Sequence, residues 1–151
     1  MENKKINIQI KIRRKNMLLA SKIYKYEKGT LVFKFRDNKT DIFVKRGNKM
    51  SFIESSHITI ESLDNIGTLA ELYAKENALE KPVRNFIRVG YNSVNFEFSE
   101  TSQKEYCQVD ISFRPEVIKT RYVACDLADI NSIYAVINYF MSVEGVKHGK
   151  Y

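Results

Sequence analysis

The chain has 151 residues, the size of one ordinary domain, and 44% of them are hydrophobic, so folding can bury a core without a disulfide or a metal to hold it. Its longest apolar run is far too short to cross a bilayer, and residues 1–15 lack the unbroken apolar stretch of a signal peptide. We therefore predict a single domain over residues 1–151, in the cytoplasm and without a membrane partner.

The net charge of +7 is unevenly spread along the chain. Residues 1–49 hold fifteen Lys or Arg and four acids, whereas residues 50–113 hold five bases and ten acids. A segregated positive field attracts polyanions such as nucleic acid. The alternative is a solvated, lysine-rich surface that binds nothing in particular.

Strand signals fill the first part of the chain. Isoleucine alternates with polar residues over 6–12, which is the clearest period-two pattern. Further strands are predicted, between turn residues, at 17–26, 31–36, 42–45, 50–53 and 57–61. The period then becomes helical from Ile66, with Asn65 as the predicted N-cap, and the helix fades near Leu79.

The same order of patterns returns after Pro82. Strands are predicted at 86–89, 94–98, 106–113 and 121–125. Asp129 is the predicted N-cap of a second helix, which carries apolar residues on one face and stops at Gly145. We thus expect an α+β fold of antiparallel sheets with two helices.

An internal repeat supports this division. Residues Ser56–Leu72 align without a gap on Thr120–Val136, so that Asn65 meets Asp129 and Ile66 meets Ile130. The alignment predicts two tandem strands-then-helix units, 17–79 and 84–144, within one domain. The alternative is that any strand-then-helix pair shares this binary pattern.

Tandem ββββα units are the architecture of the PUR-repeat and Whirly families, and over roughly residues 17–144 the chain resembles that plan. The resemblance is one of topology and not of signature motifs. It implies binding of single-stranded nucleic acid.

Basic and aromatic residues are interleaved on the predicted strands, mainly in the first unit. Proteins that bind single strands combine a cationic groove for phosphates with aromatic faces on which bases stack. The residues predicted to bind nucleic acid are Lys11, Arg13, Arg14, Lys15, Lys22, Tyr24, Lys25, Tyr26, Lys34, Arg36, Lys45, Arg46, Arg84, Arg88 and Tyr91. The alternative for each aromatic residue is a place in the core.

Two short motifs suggest catalysis without completing it. His57-x-Thr59 resembles half of the site of two-histidine phosphoesterases, which need a second such motif, and the only other histidine is His148. Asp37-Asn38-Lys39, with Glu27 upstream, resembles the end of a PD-(D/E)xK nuclease motif, but Asp-Asn between strands is first a turn signal.

Cys107 and Cys125 have neither CxxC spacing nor a nearby histidine, so we predict reduced thiols that fill apolar space. With no phosphate-binding glycine loop and too few Cys and His for a zinc site, the sequence predicts no catalytic residue, no metal and no cofactor.

Three functions remain open. The leading hypothesis is a non-enzymatic protein that binds nucleic acid, single strands before duplexes, through a basic sheet surface. The second is a small phage-type inhibitor or adaptor, of the anti-CRISPR kind, that blocks a host defence enzyme; the bias to Lys, Asn, Ile and Tyr is typical of an AT-rich genome. The third is an enzyme of unrecognised type. An exposed sheet edge would also allow a homodimer.

Overall fold

The computed structural model describes residues 19–91, 93–114 and 117–143, and the predicted strand over residues 6–12 lies outside them. The described ranges contain two helices, α1 (Leu63–Glu76) and α2 (Ile130–Val143), each preceded by four strands. The strands are β1 (Leu19–Tyr26), β2 (Gly29–Phe35), β3 (Thr40–Arg46), β4 (Lys49–Ser56), β5 (Pro82–Tyr91), β6 (Val94–Glu100), β7 (Tyr106–Arg114) and β8 (Val117–Ala124). The predicted α+β class is confirmed.

All eight strands form one antiparallel sheet in the order β4-β3-β2-β1-β5-β6-β7-β8. Each half of the chain is a meander of neighbouring strands, and the halves meet where β1 pairs with β5 at the centre. Because the strands share one sheet, the finer prediction of two tandem strands-then-helix units is not confirmed.

Alternation along the strands divides the sheet into two faces. In β2, Leu31 and Phe33 are fully buried on the face that packs against the helices, as period two predicts. In the second half, Phe96, Phe98 and Val109 occupy the same face and are equally buried. We call this side the helix-covered face and the opposite side the open face.

Both helices bury one apolar stripe on the helix-covered face. The buried side chains of α1 include Ile66 and Ala70, at the spacing of one helical turn. In α2 Phe140 stacks on Phe96 of β6, with ring centroids 6.5 Å apart. Neither helix has the length and apolarity needed to cross a membrane.

The structure corrects the start of the first helix and confirms that of the second. Residues 57–61 do not form the predicted strand; they form a loop and the first residues of a 3₁₀ turn (Ile60–Ser62) that leads directly into α1. Helix α1 therefore begins two residues before Asn65, which is not its N-cap. Asp129 does cap α2, because its carboxylate accepts a hydrogen bond from the Asn131 amide at 2.9 Å.

Candidate nucleic-acid interface

An apolar row crosses the open face at right angles to the strands. The register places Phe43 beside Val32, Val32 beside Ile23, and Ile23 beside Phe86. The apolar row continues from Phe43 to Phe52 on β4. Beyond Phe86 the same register positions hold the polar Ser99 and Gln108, followed by Tyr122 on β8. No element of the described ranges packs on this side of the sheet.

Five cations flank the apolar row between β3 and β5. Lys45, Lys25 and Arg84 lie along one side of it, as Lys45 and Lys25 both pair with Thr30 and Lys25 pairs with Arg84. Lys34 and Arg88 lie along the other side, and both pair with Ser21. We call these five residues the cation cluster.

Phe86 lies at the β5 end of the cation cluster, between Arg84 and Arg88 on its own strand, and is only 2% exposed. The Arg84 and Arg88 guanidinium carbons lie 4.4 Å and 5.2 Å from its ring centroid, and the Lys25 amine lies 5.8 Å away. Charged heads placed over an aromatic face are held there by the ring quadrupole, and their apolar stems cover the ring. Phe86 thus supports three cations and is itself closed to a ligand.

The β4 end of the row presents accessible aromatic surface. Phe52 is 59% exposed, and its ring meets that of Phe43 edge-on, with centroids 5.5 Å apart. The Lys34 amine lies 5.1 Å from the Phe43 centroid. An exposed ring beside unburied ammonium groups has the composition of a site for a base and its phosphate.

Carboxylates neutralise only part of the positive charge. Glu97 of β6 binds Arg88 at 3.0 Å and Arg84 at 3.5 Å. Lys25, Lys34 and Lys45 form no ion pair with any residue of the described ranges. The three lysines therefore carry the uncompensated charge of the cation cluster.

Arg36 extends the basic surface towards the β2–β3 turn, where it binds Asp41 at 3.0 Å. Ser55 also donates a hydrogen bond to Asp41, at 2.6 Å. These two hydrogen bonds, from Ser55 and then Arg36, hold the pKa of Asp41 below its usual value, so that carboxylate keeps its charge. Arg36 is thereby less available to a phosphate than the three lysines.

Five of the residues predicted to bind nucleic acid lie on the helix-covered face instead. Arg46 donates to the Asn77 carbonyl at the end of α1, at 2.8 Å, and Tyr91 packs against the main core. Tyr24 and Tyr26 also pack against the core. Strand alternation explains this division, because Lys25 must face the opposite way from its neighbours on either side.

Lys22 is the fifth of these residues, and it is the most deeply buried, at 5% exposure. Its amine donates to Asn85 Oδ1 at 2.9 Å and lies 5.4 Å from the Tyr24 ring centroid. Burial lowers the pKa of Lys22 to about 8, an effect only partly offset by the negative charge of Glu100. A phosphate on the open face cannot reach this amine.

The remaining predicted cations, Lys11, Arg13, Arg14 and Lys15, lie outside the described residues. Conversely, Phe52 is not among the residues predicted to bind nucleic acid. Its place opposite Phe43 follows from the two-residue turn Gly47-Asn48, because the pairing runs unbroken from Arg46 and Lys49 to Phe43 and Phe52. The β-bulge of this hairpin lies beyond that pair, between Ile42 and Phe43.

The two short motifs that suggested catalysis both lie in exposed loops. His57 is exposed in the loop after β4, and Asp37 is exposed in the turn between β2 and β3. Within the described part of the chain, no three His, Cys, Asp or Glu side chains converge on a point that would hold a metal ion.

The two cysteines lie near each other in the core, and neither forms a disulfide. The Cys107 thiol donates to the Cys125 carbonyl at 2.9 Å. Burial raises the pKa of Cys107 to about 12 and raises that of Cys125 as well. Protonated, buried thiols are poor nucleophiles.

Comparisons with protein-family models, with curated proteins and with solved structures find no match to this chain.

Proposed function

We propose that the protein binds single-stranded nucleic acid, without catalysis, through the open face of its sheet. The observation that carries the proposal is the cation cluster, in which five Lys and Arg side chains flank an apolar row on a face that no described element covers. Phosphates would meet Lys25, Lys34 and Lys45, since these amines have no ion pair among the described residues.

An exposed ring favours single strands over duplexes. The bases of a duplex are stacked on one another, whereas those of a single strand can stack on a protein side chain. Phe52 and Phe43 provide such a surface at one end of the cation cluster. From β4 to β5 the row spans four strand spacings, roughly 19 Å, which is enough for a few nucleotides.

The charge of the whole face also bears on the path of the strand. Glu97 and Asp110 lie side by side on β6 and β7, beyond Arg88. Phosphates would be repelled there, so the bound strand would run over β1 to β5 and leave β6 to β8 uncovered.

The experiment is a salt titration of binding to a fluorescent single-stranded oligonucleotide, with duplex DNA and RNA in parallel. In the triple variant K25Q/K34Q/K45Q we expect affinity to fall roughly 100-fold at 0.1 M salt, and the slope of log affinity against log salt to become shallower by about 2. Removing three phosphate contacts has this effect because each contributes about 0.7 to the slope for single strands.

The matched control is K49Q/K81Q/K104Q, which removes the same charge from exposed lysines outside the open face. If binding depends only on net charge, the two triple variants will lose affinity equally, and the open face is not the site. If the wild-type protein fails to bind any of the probes at low salt, the proposal is wrong.

A second candidate function is the capture of a protein by strand addition at β8. This strand is an edge of the sheet, and Ile118 and Tyr122 on it are 61% and 66% exposed. An inhibitor or adaptor would present such an edge to a host enzyme, and a second copy of the chain would use it to form a homodimer. Replacing Ile118 with Lys would abolish either association, which sedimentation or a pull-down would detect, and would leave binding at the cation cluster intact.

We also infer that the two halves descend from one duplicated unit. The order of four strands and a helix occurs twice, and the first strand of each half lies at the centre of the sheet. This repeated order supports the duplication, but not a gapless match of Ser56–Leu72 on Thr120–Val136, because that alignment sets the loop after β4 against strand β8.

A further inference from the structure

A cavity of about 660 Å³ lies between α1 and the strands β1 and β5. It is on the helix-covered face, on the other side of the sheet from the cation cluster. Cavities of this size are typical of small-molecule sites. Its lining includes Tyr24, Tyr26, Gly67, Glu71, Lys75 and Asn85.

Gly67 lies inside α1, where glycine is the least favourable residue apart from proline. Its backbone has no left-handed conformation that would require glycine. A Cβ at this position would meet one atom within 4 Å, the Tyr24 hydroxyl at 3.9 Å, which is an ordinary contact. Neither backbone geometry nor crowding therefore requires glycine, and the missing side chain of Gly67 leaves the space above Tyr24 open.

The orientation of Asn85 is set by Lys22. An ammonium group has only donors, so the atom that Lys22 contacts at 2.9 Å is the amide oxygen. The Asn85 amide nitrogen is therefore the end that remains for hydrogen bonding to an occupant of the cavity. The oxygen keeps a second lone pair, so this amide can offer a donor and an acceptor side by side.

The two tyrosines add further neutral hydrogen-bonding groups. Burial raises the pKa of Tyr24 and, to a smaller extent, that of Tyr26, so both stay protonated at physiological pH. Each hydroxyl can donate one hydrogen bond and accept others. The floor of the cavity thus consists of uncharged polar groups on aromatic rings.

The charges around the cavity select against an ionic occupant. The buried amine of Lys22 beside Asn85 and the Lys75 ammonium at the lining disfavour a cation, while Glu71 at the lining disfavours an anion. Glu80, also at the lining, is paired with Lys28 at 3.5 Å. Small residues of α1 and its end, Gly67, Ala74 and Ala78, face the tyrosines across the cavity. Small side chains opposite aromatic ones leave space beside the tyrosine rings, and a planar ring can pack there.

We propose that this cavity binds a nucleobase, a neutral planar heterocycle whose edge pairs donors and acceptors. The Asn85 amide is suited to the adjacent donor and acceptor of adenine, which asparagine recognises with two hydrogen bonds in other settings. The base belongs either to a free nucleoside or to a strand from which it is unstacked.

The test is a titration of adenosine, guanosine, cytidine and uridine into the full chain, followed by ¹H–¹⁵N NMR. We expect saturable shifts confined to α1, β1 and β5, strongest with adenosine. In Gly67→Leu the side chain fills this space, so affinity should fall at least 10-fold, while Gly67→Ala should stay within 3-fold of the wild type. Because leucine is a better helix former than glycine, loss of binding in Gly67→Leu would not be explained by loss of the helix.

Asn85→Asp gives an independent readout. It preserves the shape of the side chain and gives Lys22 a carboxylate partner, but it removes the amide donor. We expect at least a 10-fold loss of adenosine affinity with the fold retained.

Oligonucleotide binding by the same variants distinguishes a base of a nucleic-acid strand from a free nucleoside. If Gly67→Leu weakens oligonucleotide binding, the base comes from the strand; if oligonucleotide binding is unchanged while nucleoside binding is lost, the ligand is a free nucleoside. K25Q/K34Q/K45Q should still bind adenosine, so failure of the open-face proposal would not affect this one. The cavity proposal is overturned if no nucleoside gives saturable shifts and Gly67→Leu leaves oligonucleotide binding unchanged.

Discussion

The two faces of the sheet bury apolar residues by different means. On the helix-covered face Phe98 is fully buried beneath the helices. On the open face Phe86 is 2% exposed, yet what covers it is the stems of Lys25, Arg84 and Arg88. Covering a ring with basic side chains protects it from water and at the same time builds a positive surface. A sheet face can therefore bury an aromatic ring without a helix packing over it.

The largest expected difference between the faces is in stability. Phe98→Ala should lower the free energy of unfolding by about 3–5 kcal/mol, because it empties a packed site. Phe52→Ala, the same change at an exposed position on the open face, should cost about 0.5 kcal/mol or less. Urea unfolding followed by circular dichroism measures both, and equal losses would mean that the open face is covered.

The second difference concerns Lys22 and pH. Its folded pKa of about 8 lies below its usual value, so between these two values the unfolded chain binds the additional proton and stability rises with pH. From pH 7 to 9.5 the wild type should gain about 2 kcal/mol relative to Lys22→Met, in which this proton is absent. Below pH 8 both states hold the proton, and the cost of the buried charge is constant.

The stability of the wild type has to be compared with that of Lys22→Met at each pH, because the two thiols change stability with pH in the opposite direction. The raised pKa values of Cys107 and Cys125 mean that unfolded thiols ionise first, which lowers stability as pH rises. That contribution is common to the wild type and the variant and cancels in their difference. A Lys22→Met curve parallel to the wild type would contradict the assignment.

The smallest expected effect is at Gly67. Gly67→Ala should stabilise the protein by about 0.5–1 kcal/mol, because alanine favours the helix and its Cβ meets only an ordinary contact. For a chain of this length that corresponds to a rise in Tm of about 1–4 °C. Differential scanning calorimetry would detect it, and a fall in Tm would show that glycine is needed for packing.

Local patterns predicted most of the elements. The alternation of Leu31 and Phe33 placed β2 and its buried face, and Asp129 marked the first turn of α2. The segment at 57–61 was misread because a short apolar alternation does not distinguish a strand from a loop that enters a helix.

The candidate site was only partly accessible to the sequence. Alternation alone separates Lys25 from Tyr24 and Tyr26, yet it does not say which side the helices cover. That depends on the pairing of β1 with β5, a contact between residues about as far apart as Lys22 and Asn85, which are separated by 63 positions. No local signal specifies a pairing over that distance, whereas the Phe43–Phe52 contact follows from the two-residue turn that joins β3 to β4.

The central pairing of β1 with β5 also has a consequence for how the chain folds. Every other neighbouring pair in the sheet joins consecutive strands and closes a short loop. The β1–β5 seam instead closes the loop that contains β2 to β4 and α1, so its entropic cost is the largest in the sheet. The chain loses this entropy before the contacts between β1 and β5 can stabilise it. The rate at which the two meanders join should therefore set the folding rate of the whole chain.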